Sequence, residues 1–187
     1  MCLINYPCKE IPFYILYNIE SEYINIHVKN HSYLNVPIQN MINIVKKSID
    51  NNQAVWCGID WDKFNSRKYS YLDQKGFDYV DIFGFNNVME KCDGLNYRLS
   101  YPSHAVIIRG YNFSKNNENI GFLIENSHGD NNSEFKGNYH MSLEWFKSYV
   151  YEIVVNKQFL IKTESDSLKK KPIMLPYWSP FSNLLNK

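Results

Sequence analysis

The chain has 187 residues and a formal net charge of +1, with 20 Lys and Arg against 19 Asp and Glu. This length suffices for one domain with a buried core, and the balanced charge gives no electrostatic case for a nucleic-acid or membrane partner. No apolar run approaches the roughly 20 residues that cross a bilayer. The first ten residues lack the basic start and apolar middle of a signal peptide, so we expect a cytoplasmic protein.

The cysteines and histidines give no sign of a cofactor. The histidines His27 and His31 have i, i+4 spacing, but their segment alternates apolar and polar residues as a strand does, so we predict no metal site there. The cysteines are widely spaced and include no C-x-x-C pair, which indicates neither a disulfide framework nor a zinc site. The sequence contains four of them: Cys2, Cys8, Cys57 and Cys92.

The first quarter of the chain predicts extended structure followed by one clear helix. Residues 3–5 predict a short strand, and residues 14–28 are rich in the β-branched and aromatic side chains that favour strands. Pro37 marks a helix start, with Asn35 as the candidate N-cap, and the helix is expected to end at residues 51–52. Apolar residues recur there at the spacing of one helical face: Ile38, Met41, Ile42, Val45 and Ile49.

The remaining pattern predicts strands joined by polar turns. A short helix is predicted at 86–91, and Ser142 is expected to cap a helix over 143–149. Residues 165–187, called the tail here, are polar and then rich in Pro and aromatic residues, and predict an arm outside the core. Strands are expected at 54–59, 105–111, 120–125, 139–141 and 151–155. The sum is an α+β fold built around an antiparallel sheet.

Two polar residues flank the central pair of predicted strands. His104 stands at the head of strand 105–111, and Asn126 follows strand 120–125. If these strands pair antiparallel, both residues lie at the same edge of the sheet. A Cys–His hydrolase needs an imidazole to move the proton and a group that holds the imidazole in one tautomer. Asn126 suits the second role because its side-chain oxygen accepts the Nδ1–H of a histidine.

The surrounding residues resemble a known family. His104 followed by Ala and Val, and the run 125–129 (Glu-Asn-Ser-His-Gly), are similar to the His-Ala and Glu-Asn-Ser-Trp-Gly motifs of papain-like cysteine peptidases. Further stretches resemble the bleomycin hydrolase branch in the right order, and the match corresponds to the C-terminal half of a longer enzyme. These stretches are 2–5, 34–38, 54–60, 64–66, 145–152 and 172–180.

The resemblance implies a function and a division of the chain. It implies a thiol aminopeptidase that acts on peptides as a homohexamer, with His104 as general base and acid and Asn126 as the residue that orients it. Residues 1–164 would form the C-terminal part of the peptidase domain, and residues 165–187 an arm reaching toward the active-site cleft. The terminal carboxylate at Lys187 would then bind the free amine of the substrate. Here the tail departs from the family's Asp-Pro-Met-Gly-Ala-Leu ending and is slightly longer.

Two departures bear on catalysis. The family's Trp after Asn-Ser covers the His–Asn hydrogen bond, and here that position is His128, which is either a weaker shield or simply a turn residue. The family's nucleophilic cysteine, in a Gln-x-x-x-x-x-Cys-Trp type segment, has no counterpart in this chain. Cys57 and Cys92 are expected to be core or loop residues, and Cys2 would serve only as an N-terminal nucleophile after removal of Met1.

Two hypotheses follow. In the first, the chain is the C-terminal half of a bleomycin-hydrolase-like aminopeptidase and is completed by an N-terminal half that carries the cysteine. In the second, it is a non-catalytic remnant that acts as a binding or assembly module. In neither do we expect a nucleic-acid or membrane partner.

Overall fold

The structure is a computed structural model that describes residues 1–20, 32–84, 89–114, 116, 119–127 and 135–184. Predictions that concern His27, His31, His128 and Lys187 fall outside these residues. The strands are β1 (Cys2–Ile4), β2 (Leu16–Ile19), β3 (Tyr33–Asn35), β4 (Val55–Ile59), β5 (Asn65–Ser66), β6 (Tyr71–Leu72), β7 (His104–Phe113), β8 (Asn119–Glu125), β9 (Asn138–Ser142), β10 (Val150–Val154) and β11 (Ile173–Leu175). The α-helices are α1 (Ile38–Asp50), α2 (Tyr79–Phe83), α3 (Lys91–Asn96), α4 (Leu143–Tyr149) and α5 (Lys162–Ser167). Short 3₁₀ helices lie at Gln74–Gly76, Lys157–Phe159 and Pro180–Leu184.

The strands join in one sheet in the order β11-β2-β3-β1-β10-β4-β7-β8-β9-β6-β5. The six consecutive strands from β1 to β9 in this order all pair antiparallel with their neighbours. Parallel pairs occur only outside this run, for example between β1 and β3. The predicted α+β fold with an antiparallel sheet is therefore confirmed.

The two faces of the sheet bury different clusters, because successive side chains of a strand point to opposite faces. Leu3 lies in the larger cluster, which α1 and α4 cover, whereas its neighbour Ile4 lies in a smaller cluster on the other face. The smaller cluster holds Tyr6, Tyr17 and Leu95 from the N-terminal segment, β2 and α3. Residues 180–184 pack against this second face.

Helix α1 confirms the periodicity prediction, but its predicted cap is wrong. The helix spans Ile38–Asp50, Pro37 occupies the N-cap position, and no side chain caps the first turn. Asn35 lies instead in β3 and is fully buried. Its side chain accepts a hydrogen bond from the backbone N–H of Tyr6 at 2.9 Å and donates to the carbonyls of Tyr6 and Ile11 at 3.0 and 2.7 Å. The Asn35 side-chain amide therefore links the N-terminal segment to the sheet through hydrogen bonds.

The second half matches the predicted strands closely and one helix less well. Ser142 caps α4 as predicted, because its hydroxyl accepts from the backbone N–H of Trp145 at 3.3 Å. The helix predicted at 86–91 is misplaced: residues 89 and 90 are not helical, and α3 begins at Lys91. Residues 86–88 are outside the described part of the chain.

Two cysteines form a disulfide that the sequence did not indicate. Cys8 and Cys92 are bonded across a sequence separation of 84 residues. Their spacing carries no signal because the bond joins the N-terminal segment to α3, which meet only when the second face of the sheet is covered. The prediction that Cys92 is an unbonded core or loop residue is therefore wrong.

The tail is not wholly an arm outside the core. Phe181 and Leu184 are fully buried, and the Phe181 ring lies 5.6 Å from that of Tyr6 and 5.5 Å from that of Tyr17. Asn183 donates to the carbonyl of Leu95 in α3 at 2.9 Å. Helix α5 also runs across the predicted boundary between residues 164 and 165. The prediction failed because only two apolar residues of the tail, Phe181 and Leu184, are fully buried, and two residues are too few to show a period.

Replacing Asn35 by alanine should destabilise the protein by about 3 kcal/mol, because three buried hydrogen bonds of about 1 kcal/mol each are lost. An N-cap residue would cost only about 1 kcal/mol. Urea unfolding measures the difference, with Asn43→Ala on the exposed side of α1 as the control. A loss no larger than that of the control would contradict the assigned role of Asn35.

Replacing Phe181 by alanine should cost about 3–5 kcal/mol, as expected for a buried aromatic ring. Trp178, three residues earlier, is 69% exposed, and Trp178→Ala should change stability by less than about 0.5 kcal/mol. Thermal unfolding of both variants tests whether the tail belongs to the core. Equal, small effects would show that it does not.

Candidate active site at the edge of the central sheet

The antiparallel pairing of β7 and β8 brings the two predicted site residues together. His104 is the first residue of β7, and Asn126 directly follows β8. In the observed register Ile107 lies opposite Glu125, so the start of one strand and the end of the other share an edge. This edge of the sheet is called the site edge below.

A direct hydrogen bond links the two side chains. The distance from His104 Nε2 to Asn126 Oδ1 is 2.8 Å. Because an amide oxygen can only accept, Nε2 carries the proton and donates it. In the neutral ring Nδ1 is then the basic nitrogen. The predicted pairing of His104 with Asn126 is confirmed, but the predicted donor atom is wrong: Nε2, not Nδ1, donates to Asn126.

Asn126 is held in place by its backbone. Its N–H donates to the carbonyl of Gly137 at 2.9 Å, just before β9 begins. Gly137 has a φ of 79°, a left-handed conformation that costs glycine little and other residues more. The backbone of Asn126, whose side chain is hydrogen-bonded to His104, is therefore held by a turn that only glycine adopts easily.

The other side of the site edge is formed by β4. Ile59 pairs with His104, and the chain then continues to Trp61, whose ring centroid lies 5.0 Å from that of His104 with an interplanar angle of 53°. The Trp61 backbone N–H donates to the Ser103 hydroxyl at 3.1 Å. Sequence reasoning missed Trp61. The observed pairing of β4 with β7 places residue 59 opposite residue 104, so that residue 61 follows two positions beyond the end of the pair.

A buried polar network fixes the segment that leads into β7. The Ser100 hydroxyl donates to Asp60 Oδ2 at 2.7 Å and also makes a short hydrogen bond with the Tyr151 hydroxyl. Burial raises the pKa of Asp60, although the hydrogen bond from Ser100 opposes this shift. The Ser103 N–H donates to the Ile59 carbonyl at 2.9 Å. The residues before His104 are thus tied to the end of β4 at two points.

The four cysteines are all described, and none is suited to act as the nucleophile. Cys8 and Cys92 are joined in the disulfide. Cys57 is fully buried, and this burial raises the pKa of its thiol, which opposes formation of a thiolate. The Cys2 thiol donates a hydrogen bond to a Glu152 carboxylate oxygen at 3.8 Å, and Cys2 lies in β1, which does not pair with β7 or β8.

Within the described residues, no group of three or more His, Cys, Asp or Glu side chains is arranged to bind a metal ion. The same part of the chain holds no helix that is both long and apolar enough to cross a membrane. Leu184 is the last described residue, so the position of the Lys187 carboxylate stays a prediction.

The fold is that of a papain-like peptidase domain: an antiparallel sheet whose edge presents a histidine bonded to an asparagine. The model of the Peptidase C1-like family matches residues 1–182. The chain therefore belongs to the Peptidase C1-like family.

Curated relatives agree with this assignment and are longer. Bleomycin hydrolase from Mus musculus is 30% identical over 187 residues, a match that covers 98% of this chain and 41% of the relative. Aminopeptidase C from Listeria innocua is 29% identical and is likewise covered to 41%. Aminopeptidase G from Lactobacillus delbrueckii is 34% identical over 146 residues, covering 78% of this chain and 33% of the relative. The chain spans about two fifths of the length of the first and second of these relatives.

A solved structure shows the same architecture. The crystal structure of PepW from Lactobacillus rhamnosis superposes with a TM-score of 0.88 at 27% sequence identity. The match covers 96% of this chain and 40% of that one.

Replacing Asn126 by alanine should release the His104 ring from the Nε2–H tautomer. Loss of one hydrogen bond of about 1 kcal/mol changes the tautomer ratio by roughly fivefold to tenfold. Long-range ¹H–¹⁵N correlation of the labelled imidazoles measures this ratio. The control is Asn112→Ala, because Asn112 lies 3.3 Å from a different imidazole, that of His140. An unchanged His104 ratio in Asn126→Ala would refute the orienting role.

Proposed function

We propose that this chain supplies the general base and its orienting residue to a cysteine aminopeptidase whose nucleophile lies on a polypeptide segment outside this chain. The observation that carries the proposal is the 2.8 Å hydrogen bond from His104 Nε2 to Asn126 Oδ1 at the site edge. Membership of the Peptidase C1-like family and relatives named aminopeptidases support the reaction class.

The proposed chemistry uses both ring nitrogens. His104 Nδ1 takes the proton of the incoming cysteine thiol, and the thiolate attacks the peptide carbonyl. The imidazolium then gives that proton to the leaving amine, and water hydrolyses the thioester with the same nitrogen as base. Asn126 keeps the ring in the tautomer that leaves Nδ1 basic, in the way the third member of a catalytic triad does.

The nucleophile is placed elsewhere because the cysteines of this chain have other roles. Two form the disulfide, one is fully buried, and Cys2 lies beside the Glu152 carboxylate. The relatives contain more than half of their length outside the match, which provides a place for such a segment.

An exposed apolar surface supports contact with another polypeptide. It lies on and around α2 and includes Ile82 and Phe83, which are 71% and 57% exposed, and also Val80 and Leu99. Beside it is a cavity of about 370 Å³ whose walls include Phe64 and Tyr79. Exposed apolar side chains that are grouped on one short helix are a candidate for such a contact.

The proposal also includes the substrate and the assembly of the completed enzyme. The substrate is a peptide with a free amino terminus, bound by the carboxylate at Lys187, and the completed enzyme assembles as a hexamer. The cytoplasmic location stays a prediction. The Cys8–Cys92 disulfide does not support it, because disulfides are more typical of oxidising compartments.

The alternative is a non-catalytic binding or assembly module. The specific observation in its favour is that no cysteine of the chain is available as a thiolate at the site edge. In this alternative the exposed apolar surface still binds a polypeptide, but no hydrolysis follows.

Co-expression with the N-terminal part of a longer relative tests both ideas. We expect thiol-dependent release of amino-terminal residues, and His104→Ala should lower kcat by about 10⁴-fold or more, as loss of a catalytic-triad member does. His140→Ala, in β9 of the same sheet, is the matched control and should keep activity. Full activity in His104→Ala would contradict the proposal. Binding of the N-terminal part by this chain without peptide hydrolysis would favour the alternative.

A further inference from the structure

A tryptophan packs against the proposed catalytic imidazole. Trp61 follows β4 by two residues, is only 7% exposed, and its ring centroid lies 5.0 Å from that of His104. The two rings are tilted by 53°, so the indole packs obliquely against the imidazole.

The hydrogen bond to Asn126 does not by itself define the orientation of the ring. The imidazole turns about its Cβ–Cγ bond, and because Nδ1 lies farther from this axis than Nε2, a hydrogen bond at Nε2 restrains the rotation only weakly. Any such turn moves Nδ1, the atom that must meet the thiol. Displacements of about 1 Å at a reacting group can cost roughly 100-fold in rate. A second contact, away from Nε2, is needed to stop this rotation.

Trp61 is itself held firmly enough to supply that contact. Its ring lies 5.0 Å from that of Tyr139 at 69°, an edge-to-face arrangement that is favourable for aromatic pairs. Its backbone N–H donates to the Ser103 hydroxyl at 3.1 Å, and its carbonyl accepts from the Asn65 side chain at 2.9 Å. Because Ser103 precedes His104, the tryptophan and the histidine are positioned by the same short segment.

The indole also changes the surroundings of the hydrogen bond. It is a large apolar ring beside a polar contact, and a hydrogen bond from which water is excluded is stronger than one in water.

We propose that Trp61 is a positioning residue that holds the His104 imidazole in its productive orientation and shields the His104–Asn126 hydrogen bond. This inference rests on the proposed function of His104. However, the orientation and the tautomer of the His104 ring can be measured in this chain without any nucleophile. Trp61 itself carries out no chemistry.

The test measures the His104 ring directly in the chain as it exists. The ratio of Nε2–H to Nδ1–H tautomers is read from long-range ¹H–¹⁵N correlation, with His104→Gln used to assign the signals. In Trp61→Leu the ratio should fall by about threefold to tenfold, the range expected for loss of an aromatic contact. Trp61→Phe, which keeps an aromatic ring at this position, should retain most of the wild-type preference for the Nε2–H tautomer. Trp178→Leu, a substitution at an exposed tryptophan, and the signals of His140 should show no change.

Thermal unfolding checks that each variant is folded. If Trp61→Leu is not folded, Trp61→Met, which also keeps an apolar side chain without a ring, takes its place. An unchanged His104 ratio in a folded variant without the ring would overturn the inference. In the co-expressed enzyme Trp61→Leu should lower kcat and leave KM within about twofold, as expected when only a transition-state interaction is lost. If the wild-type pair has no activity, the proposed function fails, and the tautomer ratio still decides the role of Trp61.

Discussion

The antiparallel register between β7 and β8 is the constraint on which the site depends. With Ile107 opposite Glu125, the residue that begins one strand and the residue that follows the other come within hydrogen-bond distance. A shift of one residue would turn the side chains of the strand to the other face of the sheet. Register is secured by burial, since Val106, Ile108, Phe122 and Ile124 all face the larger cluster. Packing of the core therefore sets the geometry of the His104–Asn126 pair.

The neighbouring strand completes the site from the other side. β4 pairs with β7 up to His104, and beyond that pair the chain carries Asp60 and Trp61 into contact with the segment 100–104. One of these residues binds a buried serine and the other packs on the imidazole. The histidine is thus contacted through its hydrogen bond, its ring and the backbone that precedes it. Such support from surrounding residues is what the proposed proton-transfer role of His104 requires.

The second face of the sheet serves a different purpose. It gathers the N-terminal segment, α3 and residues 180–184 around Tyr6, Tyr17 and Phe181. Asn35 binds the N-terminal segment from within the sheet, and the Cys8–Cys92 disulfide joins this segment to α3. The last described residues of the tail are therefore anchored on the second face. This arrangement also uses two of the four cysteines.

The sequence by itself determined the elements whose signal is local. The period of apolar residues predicted α1, the capping serine predicted α4, and apolar runs separated by a polar turn predicted the strands that flank His104 and Asn126. From these strands the meeting of the two residues follows. Tertiary structure alone decided the features that join distant segments: the disulfide across 84 residues, the burial of Asn35 and Phe181, the choice of Nε2, and the contact of Trp61 with His104. The physical reason is that hydrophobic packing is non-directional and leaves no periodic trace when only one or two residues of a segment take part.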